Sequence, residues 1–123
     1  MSMNRHKYKA VKTMVDGTSF SSKLEANVYT YLKQLERAGE VKILDLQPKI
    51  YLSKADILFK PDFKIFDKSI NKEVYVEAKG VETAVYKIKL RLYKHYGNSP
   101  LRVYKQSNTL IYMSDEIVPI DCA

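Results

Sequence analysis

The apolar positions of this chain change period more than once, and each change marks a new element. Between Ala10 and Phe20, the apolar residues Val11, Met14, Val15 and Phe20 surround Asp16-Gly17. That dipeptide suits a two-residue hairpin turn, in which both central residues take positive φ. From Ser22 onward the spacing is helical: Leu24, Val28, Tyr31, Leu32 and Leu35 fall on one face, with Lys23, Lys33 and Arg37 opposite. Ser22 and Glu25 have the S-x-x-E spacing of a capping box, and Gly39 after Ala38 supplies a stop. An amphipathic helix between Ser22 and Gly39 is predicted.

From Val41 the pattern shortens to β-type runs: Val41 to Leu46, Lys49 to Leu52, Ile57 to Phe66 and Glu73 to Ala78, with Pro48 between the first two. A second helix, Glu82 to Tyr96, is predicted to stop at Gly97-Asn98-Ser99-Pro100. Strands Leu101 to Lys105 and Thr109 to Met113 follow, joined by a Ser107-Asn108 turn. No repeat or linker divides the chain, so residues 10–123 are expected to form one domain behind a basic arm at 1–9. The fold expected is α/β, or α+β by some definitions: a mixed central sheet of four or five strands with a helix on each side.

Strand alternation brings chemistry into this picture. In the Ile57 to Phe66 run, Pro61, Phe63 and Ile65 point one way, and Lys60, Asp62 and Lys64 the other. In the next run Val74, Val76 and Ala78 share a face opposite Tyr75, Glu77 and Lys79. A turn at Ser69-Ile70 that closes between Asp67 and Lys72 pairs Asp62 with Glu77, counting back along the two strands. Two adjacent carboxylates repel each other unless a cation lies between them. Hard oxygen donors suit Mg²⁺, which takes one or two carboxylates and keeps several waters; the Ala78 carbonyl is a further candidate ligand. Lys79, on the Glu77 face, is placed to orient water or neutralise a phosphate.

Two residues remain open on spacing alone. Glu25 is explained by the capping box already, but its place at the edge of the helix's apolar arc, facing the sheet, favours a metal-related role. Lys89 falls between the Val85, Ile88, Leu92 stripe and the Tyr86, Leu90, Tyr93 stripe, where it can reach a phosphate or simply snorkel to solvent. Lys87, Arg91 and Lys94 share the other side, as a solvated face or a phosphate-tracking one.

Lys and Arg number 21 against 14 Asp and Glu, for a formal net charge of +7, so a polyanionic partner is plausible. Arg5, Lys7, Lys9 and Lys12 crowd the N-terminus, and with Lys87, Arg91 and Lys94 they are the candidate DNA contacts. The single cysteine, Cys122, excludes an internal disulfide framework and suits a reducing compartment. With no apolar run long enough to span a membrane and no apolar signal-peptide core, the expectation is a cytoplasmic protein without a membrane partner.

A helix glutamate followed by Pro61-Asp62 and then Glu77-Ala78-Lys79 resembles the signature of the PD-(D/E)xK nuclease superfamily. Phe20 to Ala26, Leu46-Gln47-Pro48, Lys60 to Phe63 and Val76 to Gly80 look like a phage-encoded family of small endonuclease-like proteins within it. The order and spacing are also similar to phage endonuclease I, a four-way junction resolvase, and to the N-terminal catalytic domain found in Tn7-type transposases. The likeness covers roughly residues 8–97.

The resemblance implies a restriction-endonuclease-like core, with metal coordination by Asp62 and Glu77, an additional metal or water contact at Glu25, and Lys79 as the catalytic lysine. Gln47 and Lys89 match further, auxiliary positions. It also implies a Mg²⁺ cofactor that Mn²⁺ can replace, branched DNA as substrate, a homodimer, and a bacterial host cytosol if the chain is phage-encoded. The expected function is therefore a structure-selective DNA endonuclease of the Holliday-junction-resolvase kind. A nicking component of a larger transposition-like complex and a non-catalytic DNA-binding module are the alternatives.

Overall fold

The computed structural model describes residues 12–122. The proposed arm, with Arg5, Lys7 and Lys9, lies outside the described residues. The chain opens on a hairpin, β1 (Thr13–Val15) and β2 (Thr18–Phe20), whose turn residues Asp16 and Gly17 have φ of 51° and 78°. Positive φ at both positions is the primed-turn geometry that Asp-Gly favours.

Helix α1 (Lys23–Arg37) follows, with Ser22 as its N-cap: the Ser22 hydroxyl accepts the Glu25 amide at 3.0 Å. At the other end Gly39 has φ 79°, and Glu40 N–H donates to Leu35 C=O while Gly39 N–H donates to Glu36 C=O. This is a Schellman closure, which needs a residue in the left-handed region at the position glycine holds. Val28, Tyr29 and Leu32 are buried along the inner face; Leu24, Tyr31 and Leu35 pack half-buried at its edge.

Five strands form the mixed sheet: β3 (Val41–Leu46), β6 (Phe63–Asp67), β7 (Lys72–Ala78), β8 (Leu101–Ser107) and β9 (Leu110–Ile117), in the order β3-β6-β7-β8-β9. Only the β7–β8 pair is parallel, as a strand–helix–strand crossover through α2 (Ala84–Tyr96) requires. Strands β4 (Ile50–Leu52) and β5 (Ile57–Phe59) pair separately as a small hairpin. The protein thus has an α+β fold built on a mixed sheet with two helices. Among the described residues, no helix is long and apolar enough to cross a membrane.

The β6–β7 register is the expected one, running from Asp67↔Lys72 to Phe63↔Val76. The Ile57 to Phe66 run, however, is not one strand. Pro61 is fully buried at a corner where β5 ends and β6 has not begun, because a proline has no N–H for a ladder. Asp62 accordingly stands just outside the ladder.

The expectation that β7 has one polar face also needs correction. Val74 and Val76 pack with Phe63, Ile65 and α1, while Tyr75 on the reverse face is buried with Leu101 and with Tyr86 and Tyr93 of α2. A central strand covered on both faces loses the simple alternation. On α2 itself the Tyr86 and Tyr93 stripe faces the sheet, whereas Val85 and Ile88 are exposed. Strands β8 and β9 extend beyond their expected ends, to Ser107 and Ile117.

The far end of the sheet is tied by Asp67. Its carboxylate accepts the Ser69 amide at 2.9 Å, the Ser69 hydroxyl at 2.7 Å and the Arg102 guanidinium at 2.7 Å, and Arg102 also reaches Glu116 at 2.9 Å. Burial raises the Asp67 pKa, but these hydrogen bonds outweigh it and hold the carboxyl below its ordinary value. The stabilisation is therefore present above the ordinary carboxylate pKa and lost as pH falls through the lowered one. Asp67→Ala leaves Arg102 half-stranded and is expected to cost about 2–3 kcal/mol at pH 7, with the deficit shrinking in urea melts repeated at pH 3.

Candidate active site

Asp62 is fixed from two directions. The Gln47 amide donates to its carbonyl at 2.8 Å, and the Ala78 amide donates to its Oδ2 at 2.7 Å. The corner at Pro61 thus turns the carboxylate toward the end of β7, beside Glu77. Glu77 is 6 % exposed, one residue from the C-terminal end of β7. The two carboxyl groups line one cleft and each acts on the titration of the other.

Both pKa values are driven up. For Asp62 and Glu77 alike, burial is the largest cause, and the negative charge of Glu25 adds to it. Lys79 opposes the rise on both. Without a cation the pair therefore retains a shared proton near neutral pH.

Glu25, in the first turn of α1, is 3 % exposed. The Ser22 half of the capping box forms, but the Glu25 carboxylate accepts from Ser21 Oγ at 2.7 Å and from Gln47 Nε2 at 3.4 Å. This draws Gln47 into the site. Its backbone sits at φ 52°, the left-handed region that few non-glycine residues occupy, and one residue thereby braces both Glu25 and Asp62.

Glu25, Asp62, Glu77, Ala78 and Lys79 line one cleft of about 710 Å³, which Lys60 also lines. The Lys79 ammonium lies 4.6 Å from the Tyr86 ring centroid, a cation–π contact that holds a flexible side chain at the mouth of the site.

Other expected site residues are elsewhere. Lys89 is half-buried and lines a neighbouring cavity that shares Glu77 and Lys79 with the cleft. Lys12, Lys87, Arg91 and Lys94 are exposed and line neither cavity. Ser21, Lys60 and Tyr86 also belong to the site, and Ser21 and Tyr86 carry no local pattern that marks them. Only Lys60 shows a signal, two positions before Asp62 on the same nominal strand face.

Whether these residues fit a divalent cation follows from their chemistry. Among the described residues, no group of three or more His, Cys, Asp or Glu is arranged to hold a metal ion. Two carboxylates and a carbonyl, completed by water, are nevertheless a donor set of the kind magnesium takes. A transition-metal cage of imidazole and thiolate has no counterpart in the cleft.

A family model described as "Protein of unknown function (DUF1064)" matches residues 5–114. The chain belongs to that family. No curated protein matches it.

Proposed function

We propose that this chain is a magnesium-dependent endodeoxyribonuclease that acts on branched DNA, and that Asp62, Glu77 and Lys79 form its catalytic centre with Glu25. One observation carries the reading. The buried Glu77 carboxyl and the half-buried Asp62 carboxyl line one cleft beside a lysine and act on each other's titration, an arrangement that a protein built only for stability avoids and that a cation would relieve.

Asp62, Glu77 and the Ala78 carbonyl would hold Mg²⁺, and the same oxygen donors accept Mn²⁺. The bound ion would supply Lewis-acid charge at a phosphoryl oxygen and acidify the attacking water. Lys79 neutralises charge that builds on the phosphate, and the face of Tyr86 keeps its ammonium in place. Glu25, oriented by Ser21 and Gln47, accepts a proton or positions water on the α1 side.

The net charge of +7 favours a nucleic-acid backbone as the polyanion. The preference for branched DNA, and a homodimer able to cut two strands, rest on the resemblance of the motif to junction resolvases.

Purified protein incubated with a four-way junction and with matched linear duplex in Mg²⁺ is expected to cut the junction preferentially and to stop in chelator. Equal cutting of both substrates removes the branch selectivity. Binding without cutting of either replaces the enzyme with a DNA-binding module.

A further inference from the structure

We propose that the cavity behind the catalytic cleft is a second phosphate subsite, which takes a backbone phosphodiester of the same nucleic-acid strand. The inference rests on the nuclease reading and says how that site would hold its substrate. This cavity, of about 390 Å³, is lined by Lys60, Glu77, Lys79, Thr83, Tyr86 and Lys89 among others. Lys60, Glu77, Lys79 and Thr83 line the catalytic cleft as well, so the two spaces adjoin along one row of side chains.

The charge balance points to an anion. The ion pairs of the described residues engage Lys33, Lys64, Arg102 and Lys105, and none engages Lys60, Lys79 or Lys89. Glu82, the acid just before α2, is taken by Lys105 at 2.7 Å. Glu77 is the one acid among the lining residues, and it belongs to the catalytic pair. Three lysines, two of them half-buried, therefore line a space whose one carboxyl, Glu77, is shared with Asp62 in the catalytic pair, so cationic groups outnumber the acids there.

The helix adds to this. Thr83 caps the N-terminus of α2, a 13-residue helix with no acid in its first turn, so the partial positive charge of that end is not offset. An ammonium group recognises phosphate as a point charge and needs no bidentate geometry. This suits a backbone contact that is indifferent to sequence.

The test measures binding with cleavage removed. In the Asp62→Asn background, the affinity for a labelled single-stranded oligonucleotide is measured by fluorescence anisotropy across a salt series. Lys89→Met keeps the apolar stem and removes the charge. It is expected to weaken binding about tenfold at low salt and to flatten the slope of log affinity against log salt by about 0.7, the value of one phosphate contact. Lys60→Met should do the same if the Lys89 variant does not fold. Lys72→Met, at the opposite end of β7, is expected to leave the slope unchanged.

An unchanged slope in both the Lys89 and Lys60 variants, or an equal loss in Lys72→Met, overturns the subsite. Failure of the wild-type protein to cut DNA, with the Lys89 effect intact, would count against the nuclease and leave the subsite standing.

Discussion

Glu77→Gln is expected to abolish Mg²⁺-dependent cleavage and, in metal-free buffer, to make the protein more stable than the wild type. The loss should be roughly 10³-fold or more, because the substitution removes one of the two carboxylates proposed to hold the metal and the charge compensation that depends on it. Glutamine keeps the shape and its amide can donate to the Asp62 carboxylate, so the two positions can interact without a proton to share.

The stability gain has a definite pH dependence. Burial raises the folded-state pKa of both carboxyls, so the unfolded chain ionises at a lower pH than the folded one does. The pair therefore destabilises the metal-free fold progressively as pH rises above the ordinary carboxylate range of about 4. Comparing the melting temperatures of Glu77→Gln and wild type from pH 5 to pH 8 isolates this effect from other acids such as Asp67. The difference should grow with pH by the equivalent of about 1–3 kcal/mol. Adding Mg²⁺ should close it by stabilising only the wild type. A variant that stays fully active, or one less stable than wild type at pH 8 without metal, contradicts the assignment of Glu77.

This pairing of Asp62 with Glu77 is readable before folding for a physical reason. A short turn and strict alternation fix the β6–β7 register, because slipping it by one residue would move Phe63, Ile65, Val74 and Val76 out of the core. Ser22 and Gly39 similarly mark their helix ends through local backbone chemistry. Pro61 is harder to read: its run is apolar enough to pass as one strand, and only the missing ladder donor breaks it. Tyr75 is harder still, since nothing local announces that α2 will cover the second face of β7.

The same distinction separates the site residues. Glu25, Asp62, Glu77 and Lys79 stand in a recognisable order along the chain. Gln47, Tyr86 and Ser21 act through contacts made only once the elements are packed: Gln47 on Glu25 and Asp62, Tyr86 on Lys79, Ser21 on Glu25. The capping box illustrates how a local motif can mislead. Ser22 caps as expected, while the glutamate it predicts as a capping partner turns into the cleft.

Gly97→Ala is expected to be among the most damaging small substitutions in the chain, although Gly97 looks like an ordinary helix terminator. Its φ is −71°, so no left-handed conformation requires glycine there. The constraint is space. A Cβ at this position would meet Cε2 and Cζ of the Tyr93 ring at 2.6 Å and the Tyr93 carbonyl oxygen at 2.7 Å.

The ring has nowhere to go. Tyr93 is fully buried, its hydroxyl donates to the Ser99 carbonyl at 2.5 Å, and edge contacts with Phe59 and Tyr75 hold it at centroid distances of 5.8 and 6.5 Å. The backbone is also held, because Gly97 N–H donates to Tyr93 C=O at 2.8 Å. Overpacking of this kind costs roughly 2–3 kcal/mol, a fall in melting temperature of about 4 °C per kcal/mol. Gly80→Ala is the control, since a Cβ there meets nothing within 4 Å, and its melting temperature should stay near that of the wild type.

If the clash with the Tyr93 ring contributes, Tyr93→Leu should make Gly97→Ala clearly less costly in that background, whatever Tyr93→Leu costs by itself, leaving only the part set by the Tyr93 carbonyl oxygen. Full additivity of the two would place the cost elsewhere. The consequence reaches the site, because Tyr93 seats α2 against Tyr75 of β7, and α2 carries both the Tyr86 ring on Lys79 and Lys89 behind the cleft. Gly97→Ala protein that remains folded at low temperature should accordingly lose cleavage rate, even though the substitution lies outside both cavities.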